Sequence, residues 1–501
     1  MHKFFRPIPG AATPLALAAL SLAVAAGLAL PMSAHASAFQ LKENSAKAMG
    51  RAYAGSATAG NDVSVVENNP AAMSDLDGTY FQADVTAINF SAKFSGSSHD
   101  VLGRPISGGN GGDAGTTLPV PAFAFATKIS DRVNLGFAVD VPFGFQTEYD
   151  KDWIGRYDAV KTKLQSLDAT LSASFKVNDQ WSLGVSAIAE RTNAELTNAI
   201  NFNAVGLSVQ QGIGENVSAA VAQIQAAAQA GQIPPAQAAA MIQQAVQQGQ
   251  AAAGGVAAMT PQGADGYAAV KGHNWAWGWQ VGTYWKPTAN DRVALNYRSR
   301  ITHDIHGTAN FTTTPGYDVL LANPALSGSI PAFQHTNGTA RLTNPAVASF
   351  SYWHQAERFG LGMDVTWTQW SVMKQLKVDY ANPSQPDTVL PFNWRNTLYV
   401  SVGGEYYATD KLTLRAGLAV DQAPMSASNR DPRVPDAARR MGTVGIGYKA
   451  SDHFEIDASY AHIFVSHGGV NGATSATGDV LTGSFDSDYG NLLSLSAQYK
   501  F

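Results

Sequence analysis

The sequence lacks cysteine entirely and has few charged side chains. None of its 501 residues is Cys, and Asp, Glu, Lys and Arg together make up 14% of the chain. Without cysteine there is no disulfide framework and no thiolate chemistry. The net charge of -5 is too small to indicate nucleic acid as a partner. After the first 30 residues there is no run of about 18 apolar residues, which excludes a helix that spans a membrane.

Motifs of catalysis are missing as well. The chain has no G-x-S-x-G elbow and no G-x-x-x-x-G-K-[ST] loop, and its 11 histidines are scattered. His303 and His306 form a pair without the carboxylate or third ligand that a metal site needs. We therefore predict that the protein is not an enzyme and has no catalytic residue, no cofactor and no metal site.

Glycine and aromatic residues, by contrast, are abundant. The chain has 47 Gly, 22 Phe, 17 Tyr and 10 Trp, a composition that suits many short strands. The mean hydropathy is only -0.10, which is expected when apolar and polar residues alternate along each strand.

Residues 1–36 have the features of a secretory signal peptide. Two basic residues precede an apolar stretch over 15–30, and overlapping Ala-x-Ala sequences follow at 34–38. We expect the mature chain to begin near Ser37 or Phe39.

The last residues of the chain alternate strictly between apolar and polar side chains. Leu493, Leu495 and Tyr499 share one face with Phe501, while the serines and Gln498 between them share the other. This pattern is typical of the closing strand of an outer-membrane barrel, because one face meets lipid and the other a watery lumen. We therefore predict that the chain lies in the outer membrane of a Gram-negative cell and is recognised by the barrel-assembly machinery through Phe501.

Similar alternation recurs along the chain, with short polar turns on one side of the membrane and long loops on the other. A first strand near 79–95 and a last strand near 490–501, with two strands around each turn, give about 14 strands. This count treats 359–380 as one long bulged strand. The predicted fold is all-β, a transmembrane antiparallel β-barrel over 79–501. The short turns are predicted near 130–132, 178–180, 288–291, 354–357, 409–411 and 451–452.

The segment 37–78, here called the hatch, does not alternate. It is too small and too rich in Ala and Gly to hold a core of its own. A barrel of about 14 strands is wide enough to need a plug, so we predict that the hatch folds inside the lumen. The alternative is a disordered periplasmic tail.

A long external loop is predicted over 198–272. Its Ala/Gln-rich part, 217–259, is predicted to form two helices separated by 231–235, because apolar residues recur three or four positions apart. Such a face could capture apolar molecules. The alternative is a flexible loop of low complexity.

A series of motifs extends along nearly the whole mature chain. The motifs are Phe39-Gln40-Leu41, Gly50-Arg51-Ala52-Tyr53-Ala54-Gly55, Asn69-Pro70-Ala71 in the hatch, Trp153-Ile154-Gly155-Arg156-Tyr157, Trp181-Ser182-Leu183-Gly184, Trp275-Ala276-Trp277-Gly278-Trp279, Tyr297-Arg298-Ser299, Trp367-Thr368-Gln369-Trp370-Ser371, Leu414-Arg415-Ala416-Gly417, Asp421-Gln422-Ala423-Pro424, Arg430, Pro435-Asp436-Ala437-Ala438-Arg439 and Phe501. In sequence and in order, these motifs resemble the FadL family of outer-membrane transporters of long-chain fatty acids and hydrophobic compounds.

The resemblance implies a monomeric barrel that captures substrate on an external apolar groove, passes it to a lumenal pocket and releases it sideways after movement of the hatch. In the family the side exit is a deformed third strand. Here that strand, about 133–142, runs into Pro142, Phe143 and Gly144, which could leave a gap in the wall. The alternative is that these residues only end the strand at its outer loop.

A carboxylate head group in the lumen would be bound by arginine, which offers a planar bidentate donor. Each such arginine could instead pair with an inward carboxylate, for which Glu190, Glu405, Asp421 and Asp457 are available. The loop over 387–392 lacks a lysine expected in fatty acid transporters, which leaves room for neutral hydrocarbons. The predicted ligand-binding residues are Phe39, Arg156, Arg191, Arg395, Arg430 and Arg439.

The expected partners are therefore a hydrophobic small molecule, either a fatty acid, an aromatic hydrocarbon or a detergent-like lipid, and the surrounding outer-membrane lipid and lipopolysaccharide. No gradient-coupling motif is present, so we expect passive transport. The alternative function is a general or substrate-specific porin for small polar solutes, although porins have an open bore and a charged constriction.

Overall fold

The computed structural model describes residues 38–58, 61–324, 326 and 330–501. The predicted signal peptide, 1–36, lies outside the described residues. The described strands between Thr79 and Lys500 include a closed antiparallel barrel of 14 strands, as predicted. The first and last strands pair with each other along their whole length, from Tyr80 opposite Lys500 to Ser91 opposite Tyr489, and this pairing closes the wall.

Five of the barrel strands are interrupted and consist of two pieces each, namely β4 with β5, β9 with β10, β11 with β12, β13 with β14, and β15 with β16. In chain order, the strands are β1 (Thr79–Ser91), β2 (Phe94–His99), β3 (Thr117–Ser130), β4 (Val133–Asp140), β5 (Gly144–Glu148), β6 (Lys161–Lys176), β7 (Trp181–Asn201), β8 (Asp265–Trp285), β9 (Asp291–Arg298), β10 (Ile301–Thr312), β11 (Thr336–Asn344), β12 (Val347–Gln355), β13 (Phe359–Thr368), β14 (Gln375–Tyr380), β15 (Thr388–Pro391), β16 (Thr397–Tyr407), β17 (Leu412–Asp421), β18 (Arg439–Lys449), β19 (Phe454–Val465), β20 (Gly468–Thr474), β21 (Val480–Phe485) and β22 (Tyr489–Lys500).

All six predicted short turns lie between consecutive barrel strands, and the predicted strand count is confirmed. Two strand bounds differ from the prediction. The first strand ends at Ser91, because the chain leaves the barrel there. The segment 359–380 does remain one barrel strand, but a 3-10 turn over Trp370–Val372 divides it.

The two faces of the wall differ as the alternation predicts. In β22, Leu493 and Leu495 are exposed on the outside by 55% and 50%, while Ser494 and Ser496 are buried on the lumenal side. The outward face of β8 carries Trp275, Trp277 and Trp279. Lipid therefore meets aliphatic and aromatic side chains, and the lumen is lined by small polar ones.

The described helices are not part of the barrel wall; two belong to the hatch and three to loops between barrel strands. Within the predicted loop 198–272, β7 continues to Asn201 and β8 begins at Asp265, and the two predicted helices between them are confirmed. In the described parts of the chain no helix is long and apolar enough to cross a membrane. The helices are α1 (Ala46–Met49), α2 (Val65–Asn68), α3 (Phe202–Gln229), α4 (Pro235–Met259) and α5 (Pro315–Leu321).

A small sheet covers the outer end of the barrel and was not predicted. Its strand order is β2, β21 and β20. Phe94 and Phe485 from this sheet pack with Trp153, which stacks on Tyr149 with ring centroids 4.1 Å apart. Its three strands come from two external loops, so local alternation alone did not reveal their pairing.

The described part of the hatch, 38–58 and 61–78, packs against the lumenal side of the wall. Helix α1 contacts β18, β19 and β22, and a 3-10 turn over Pro70–Asp75 contacts β6, β7 and β8. The Asn69 side chain donates hydrogen bonds to the carbonyls of Ala57 and Thr283, both at 3.1 Å. A Cβ at Gly282 would overlap the Asn69 side-chain oxygen, so only glycine allows this close approach.

Ion pairs also join the hatch to the wall. Arg51 is fully buried and pairs with Glu405 of β16, which Arg415 of β17 contacts at 3.1 Å. Arg415 in turn contacts Asp457 at 2.6 Å. Buried charges are costly unless paired, so this chain of partners fixes where the hatch lies.

Candidate functional site

The third barrel strand is broken between Asp140 and Gly144. Strand β4 ends at Asp140 and β5 begins at Gly144, and Pro142 between them has no N–H for the ladder. Pairing of β3 with β4 ends at Phe123 opposite Val139, and β5 pairs with β6 alone among the described residues. The wall therefore lacks backbone pairing between the outer half of β3 and β5.

The beginning of the described hatch lies against this break. Leu41 N–H donates to the Pro142 carbonyl, and Gly144 N–H donates to the Phe39 carbonyl, both at 2.8 Å. Gln40 and Phe143 thereby form an isolated antiparallel bridge. The hatch supplies the backbone partners that the broken strand would otherwise lack on its inner side.

Phe39 is the centre of an aromatic cluster. Its ring centroid lies 4.7 Å from that of Trp370, 5.6 Å from Phe145, 5.8 Å from Trp394 and 6.1 Å from Phe143. The side chain is 3% exposed. Its neighbours come from the third strand, from the 3-10 turn after β13 and from the connection before β16, so Phe39 joins distant parts of the wall.

Two lumenal cavities meet at Phe39, which lines both. The first has a volume of about 80 Å³ and is almost wholly apolar, with walls from β6, β8, β10, β11 and β14. The second has a volume of about 340 Å³ and reaches the gap between β3 and β5. Leu164, Ile305 and Met373 line the first cavity, and Pro119 and Val141 line the second.

Of the predicted arginines, Arg439 lies at the second cavity. It donates to the Ala38 carbonyl at 3.1 Å and to Asp436 at 2.8 Å, and Asp436 accepts the Ala38 N–H at 2.6 Å. Burial raises the pKa of Asp436, an effect that the Arg439 guanidinium opposes. Together Asp436 and Arg439 hold the backbone immediately before Phe39.

The other four predicted arginines line neither cavity. Arg156 is buried at the outer end and pairs with Asp265 at 2.7 Å. Arg430 donates to the carbonyls of Asp436 and Gly469. The Arg395 side chain donates long hydrogen bonds, at 3.4 Å, to the Ala423 carbonyl.

The fourth, Arg191, lies on the outward face of β7. It shares its face with Trp181, Leu183 and Val185, all exposed, and its guanidinium lies 5.9 Å from the ring centre of Trp275. This placement could have been read from the alternation of β7.

Three cationic residues at the first cavity were not predicted, namely Lys163, Lys271 and Arg433. Arg433 is also held by Asp431 at 2.8 Å. Arg433 lies in a loop, where no periodic pattern reveals which way a side chain points.

Three of the proposed inward carboxylates, Glu190, Glu405 and Asp457, pair with cations other than the predicted arginines. Glu190 contacts Arg298 at 2.8 Å and His303 at 2.7 Å, and Arg298 also contacts Asp168 at 2.5 Å. The Arg298 guanidinium lies 5.9 Å from the ring of Phe143. His303 therefore belongs to a buried network in the wall and not to an outer strand end.

An apolar groove runs along the external helical hairpin. Val205, Val209, Ile213 and Val217 of α3 line it, together with Leu326 from the following loop. The two helices are nearly free of charge, Glu215 being the only acidic or basic residue within them. This composition suits contact with apolar molecules.

Comparisons with known proteins all point to one protein family. The model of the "Outer membrane protein transport protein (OMPP1/FadL/TodX)" family matches residues 27–501. The long-chain fatty acid transport protein of Escherichia coli K12 is 27% identical over 88% of this chain and 91% of its own length.

Solved structures agree. The crystal structure of a Pseudomonas aeruginosa FadL homologue is 29% identical, with a TM-score of 0.78 over 93% of this chain and all of that one. The Pseudomonas putida toluene transporter TodX, at 17% identity and a TM-score of 0.57 over 87% of this chain and 94% of its own, shows the same fold. The chain thus belongs to the FadL/TodX family, whose members are β-barrels of the outer membrane that transport hydrophobic compounds.

Proposed function

We propose that this protein carries long-chain fatty acids or related hydrophobic compounds across the outer membrane by passive diffusion. A molecule captured in the groove of α3 enters the first cavity, passes Phe39 when the hatch moves, and leaves sideways between β3 and β5. The observation that carries the proposal is the position of Phe39, which lies between two cavities and closes the break in the third strand.

The energies support displacement of Phe39 by an alkyl chain. A tail of about 16 methylenes gains on the order of 10 kcal/mol when it leaves water, at about 0.8 kcal/mol per group. Moving Phe39 exposes one aromatic side chain, which costs about 1.5–3 kcal/mol, and breaks two backbone hydrogen bonds worth roughly 1 kcal/mol each. Capture of the tail can therefore drive the movement without coupling to an energy source.

The proposal assigns recognition of the substrate head group to Arg439. A carboxylate in the second cavity could take the place of Asp436 on the guanidinium. A neutral hydrocarbon would leave that pair intact. The relative from Escherichia coli is named for fatty acids and the one from Pseudomonas putida for toluene, so both classes are included in the test.

The surroundings of the barrel belong to the same proposal. The hatch, 37–78, is the moving part and 79–501 is the rigid wall, and one chain suffices for the whole path. Lipopolysaccharide contacts the outward face at Arg191, and the barrel-assembly machinery recognises Phe501.

The test is uptake by an outer-membrane strain that lacks its own hydrophobic transporter and is complemented with this protein. Radiolabelled oleate and toluene are compared for the full chain, for Arg439→Gln and for the control Arg395→Gln, whose side chain lines neither cavity. We expect Arg439→Gln to lower oleate uptake at least tenfold and to leave toluene uptake within twofold. Arg395→Gln should change neither.

The two substrates separate the possible outcomes. A merely loosened hatch would raise uptake of both compounds in Arg439→Gln. Uptake of toluene alone by the full chain would make the protein a transporter of neutral hydrocarbons. Uptake of neither compound would contradict the proposal and favour the porin.

A further inference from the structure

We infer that the barrel has a second side portal, between β11 and β14, through which the alkyl tail of a single-chain amphiphile in the outer leaflet enters the first cavity. The inference rests on the proposed function and concerns the entry of substrate, whereas the break in the third strand concerns its exit. In the order of strands around the barrel, the proposed portal lies several strands away from the break in the third strand.

The ladder between these strands is open over a defined stretch. Strand β11 pairs with β14 only from Gly338 opposite Tyr380 to Ala340 opposite Val378. Backbone bonding resumes where Gln369 N–H donates to the Ala346 carbonyl at 2.9 Å. Between these points, five residues on one side, 341–345, face eight on the other, 370–377.

The three extra residues explain the opening. They form the 3-10 turn Trp370–Val372, which leaves the plane of the wall and carries Trp370 into the lumen, where it is completely buried. The unpaired part of the wall, between 341–345 and 370–377, is here called the notch. Side chains close it, and not backbone hydrogen bonds.

A groove on the outer surface and the first lumenal cavity meet at this notch. Thr339, Ala340 and Met373 line both. Met373 is 4% exposed and is the largest of the three. Because an unbranched thioether changes rotamer easily, Met373 is suited to act as a movable closure.

The rim of the notch lies at the level of lipid head groups. Arg341 is about 15 residues above the turn near 356, which corresponds to roughly 35–40 Å along the axis for a strand tilted by about 40°. The apolar band of an outer-membrane barrel is only about 25 Å tall. A tail can therefore enter the cavity while its head group stays at the interface.

Charges on the rim are balanced. Arg341 pairs with Asp304 at 2.8 Å, and Lys377 pairs with Asp379 and, at 2.8 Å, with Asp387. Arg341 and Lys377 are thus both paired with carboxylates, and the apolar cavity behind them selects for the tail.

The notch is also connected to the hatch. Trp370, from the turn beside Met373, lies against Phe39. A tail that displaces Met373 pushes on this aromatic pair, and entry of substrate thereby favours movement of Phe39.

The absence of cysteine allows a specific cross-link. Thr343→Cys with Gln375→Cys spans the notch, and the matched control Thr302→Cys with Thr343→Cys joins β10 to β11, which are paired at these residues. Both are closed with a short, reducible bis-methanethiosulfonate linker in proteoliposomes. Uptake of oleate is measured when it is supplied from the outer leaflet and when it is supplied from albumin in water.

We expect the cross-link over the notch to lower leaflet-supplied uptake at least fivefold, to spare albumin-supplied uptake, and to be reversed by reductant. The control cross-link should leave both within twofold. Unchanged leaflet-supplied uptake would overturn the portal and leave the proposed function intact.

A second measurement does not depend on transport. Met373→Cys is exposed to an N-alkyl maleimide dissolved in the bilayer, with Ala423→Cys, equally buried but absent from the outer groove, as control. If the maleimide labels the Met373→Cys variant at least tenfold faster than the Ala423→Cys variant, the portal is supported even if oleate is not transported. Equal rates refute it.

Discussion

At the scale of single residues, Arg191 illustrates how the two faces of one strand differ in chemistry. Its neighbour in sequence, Glu190, is buried in the lumen, whereas Arg191 lies on the outward face beside Trp275. Among the described residues Arg191 has no carboxylate within salt-bridge distance. It lies about 12 residues above the turn at 178–180, roughly 30 Å along the axis, at the outer edge of the apolar band.

A phosphate of lipopolysaccharide at this depth would give Arg191 the partner it lacks. We expect the full chain to unfold at higher denaturant concentration in lipopolysaccharide bilayers than in phosphatidylcholine, and Arg191→Ala to lose about 1–3 kcal/mol of that gain. Arg191→Lys, as control, should retain part of it. If lipopolysaccharide stabilised the full chain, Arg191→Ala and Arg191→Lys equally, the phosphate would not bind at Arg191.

How well the position of a side chain could be predicted depends on the pattern around it. Phe39 and Arg439 stand in motifs, one at the mature start and one in a loop, and both line a cavity. Arg191 was assigned to the lumen, although its parity with Leu183 shows the outward face. Arg433 could not be found, since side-chain direction in a loop depends on tertiary contacts.

At the scale of elements, the strands and short turns were predictable because lipid on one face and water on the other impose a period of two. The interruptions of the barrel strands were harder to predict from the sequence. Pro142 marks one in the sequence, but the turn at Trp370–Val372 has no Pro or Gly, and its shape follows from the packing of Trp370. The pairing of β2 with β21 joins loops almost 400 residues apart, which no local pattern encodes.

The outer sheet of β2, β21 and β20 should be sensitive to pH. Asp488, which follows β21, is buried and accepts the Lys93 N–H at 2.9 Å. Burial, with the nearby carboxylates of Asp113 and Asp436, raises the pKa of Asp488 to about 7. The unfolded chain loses this proton near pH 4, so the folded sheet is stabilised at low pH and loses that advantage as pH rises to about 7.

We therefore expect amide exchange in β2 and β21, corrected for intrinsic rates, to show at least tenfold lower protection at pH 8 than at pH 5.5. Asp488→Asn removes the titrating group and should show a much smaller difference. An equal difference in the variant would assign the effect to another group.

At the scale of the whole molecule, one aromatic cluster connects parts that are far apart in the barrel. Phe39 of the hatch contacts Phe143 at the break of the third strand and Trp370 at the notch beside β14. The break and the notch are thus both filled from the lumen by one group of side chains. We expect movement of the hatch to disturb both, which would link the entry and the exit of substrate that we propose.

The same arrangement predicts how the barrel conducts ions. The hatch fills the lumen through Arg51 and the turn over Pro70–Asp75, so we expect the full chain to be closed in planar bilayers. Removal of 38–78 should open a pore, because a barrel of 14 strands encloses more space than its own side chains fill. The control Phe39→Ala, which leaves Arg51 in place, should stay closed to ions while it raises uptake of hydrophobic compounds. Steady conductance of the full chain would contradict a closed hatch and point to a porin, whereas a folded truncated barrel that does not conduct would mean that the loops and the outer sheet close the path instead.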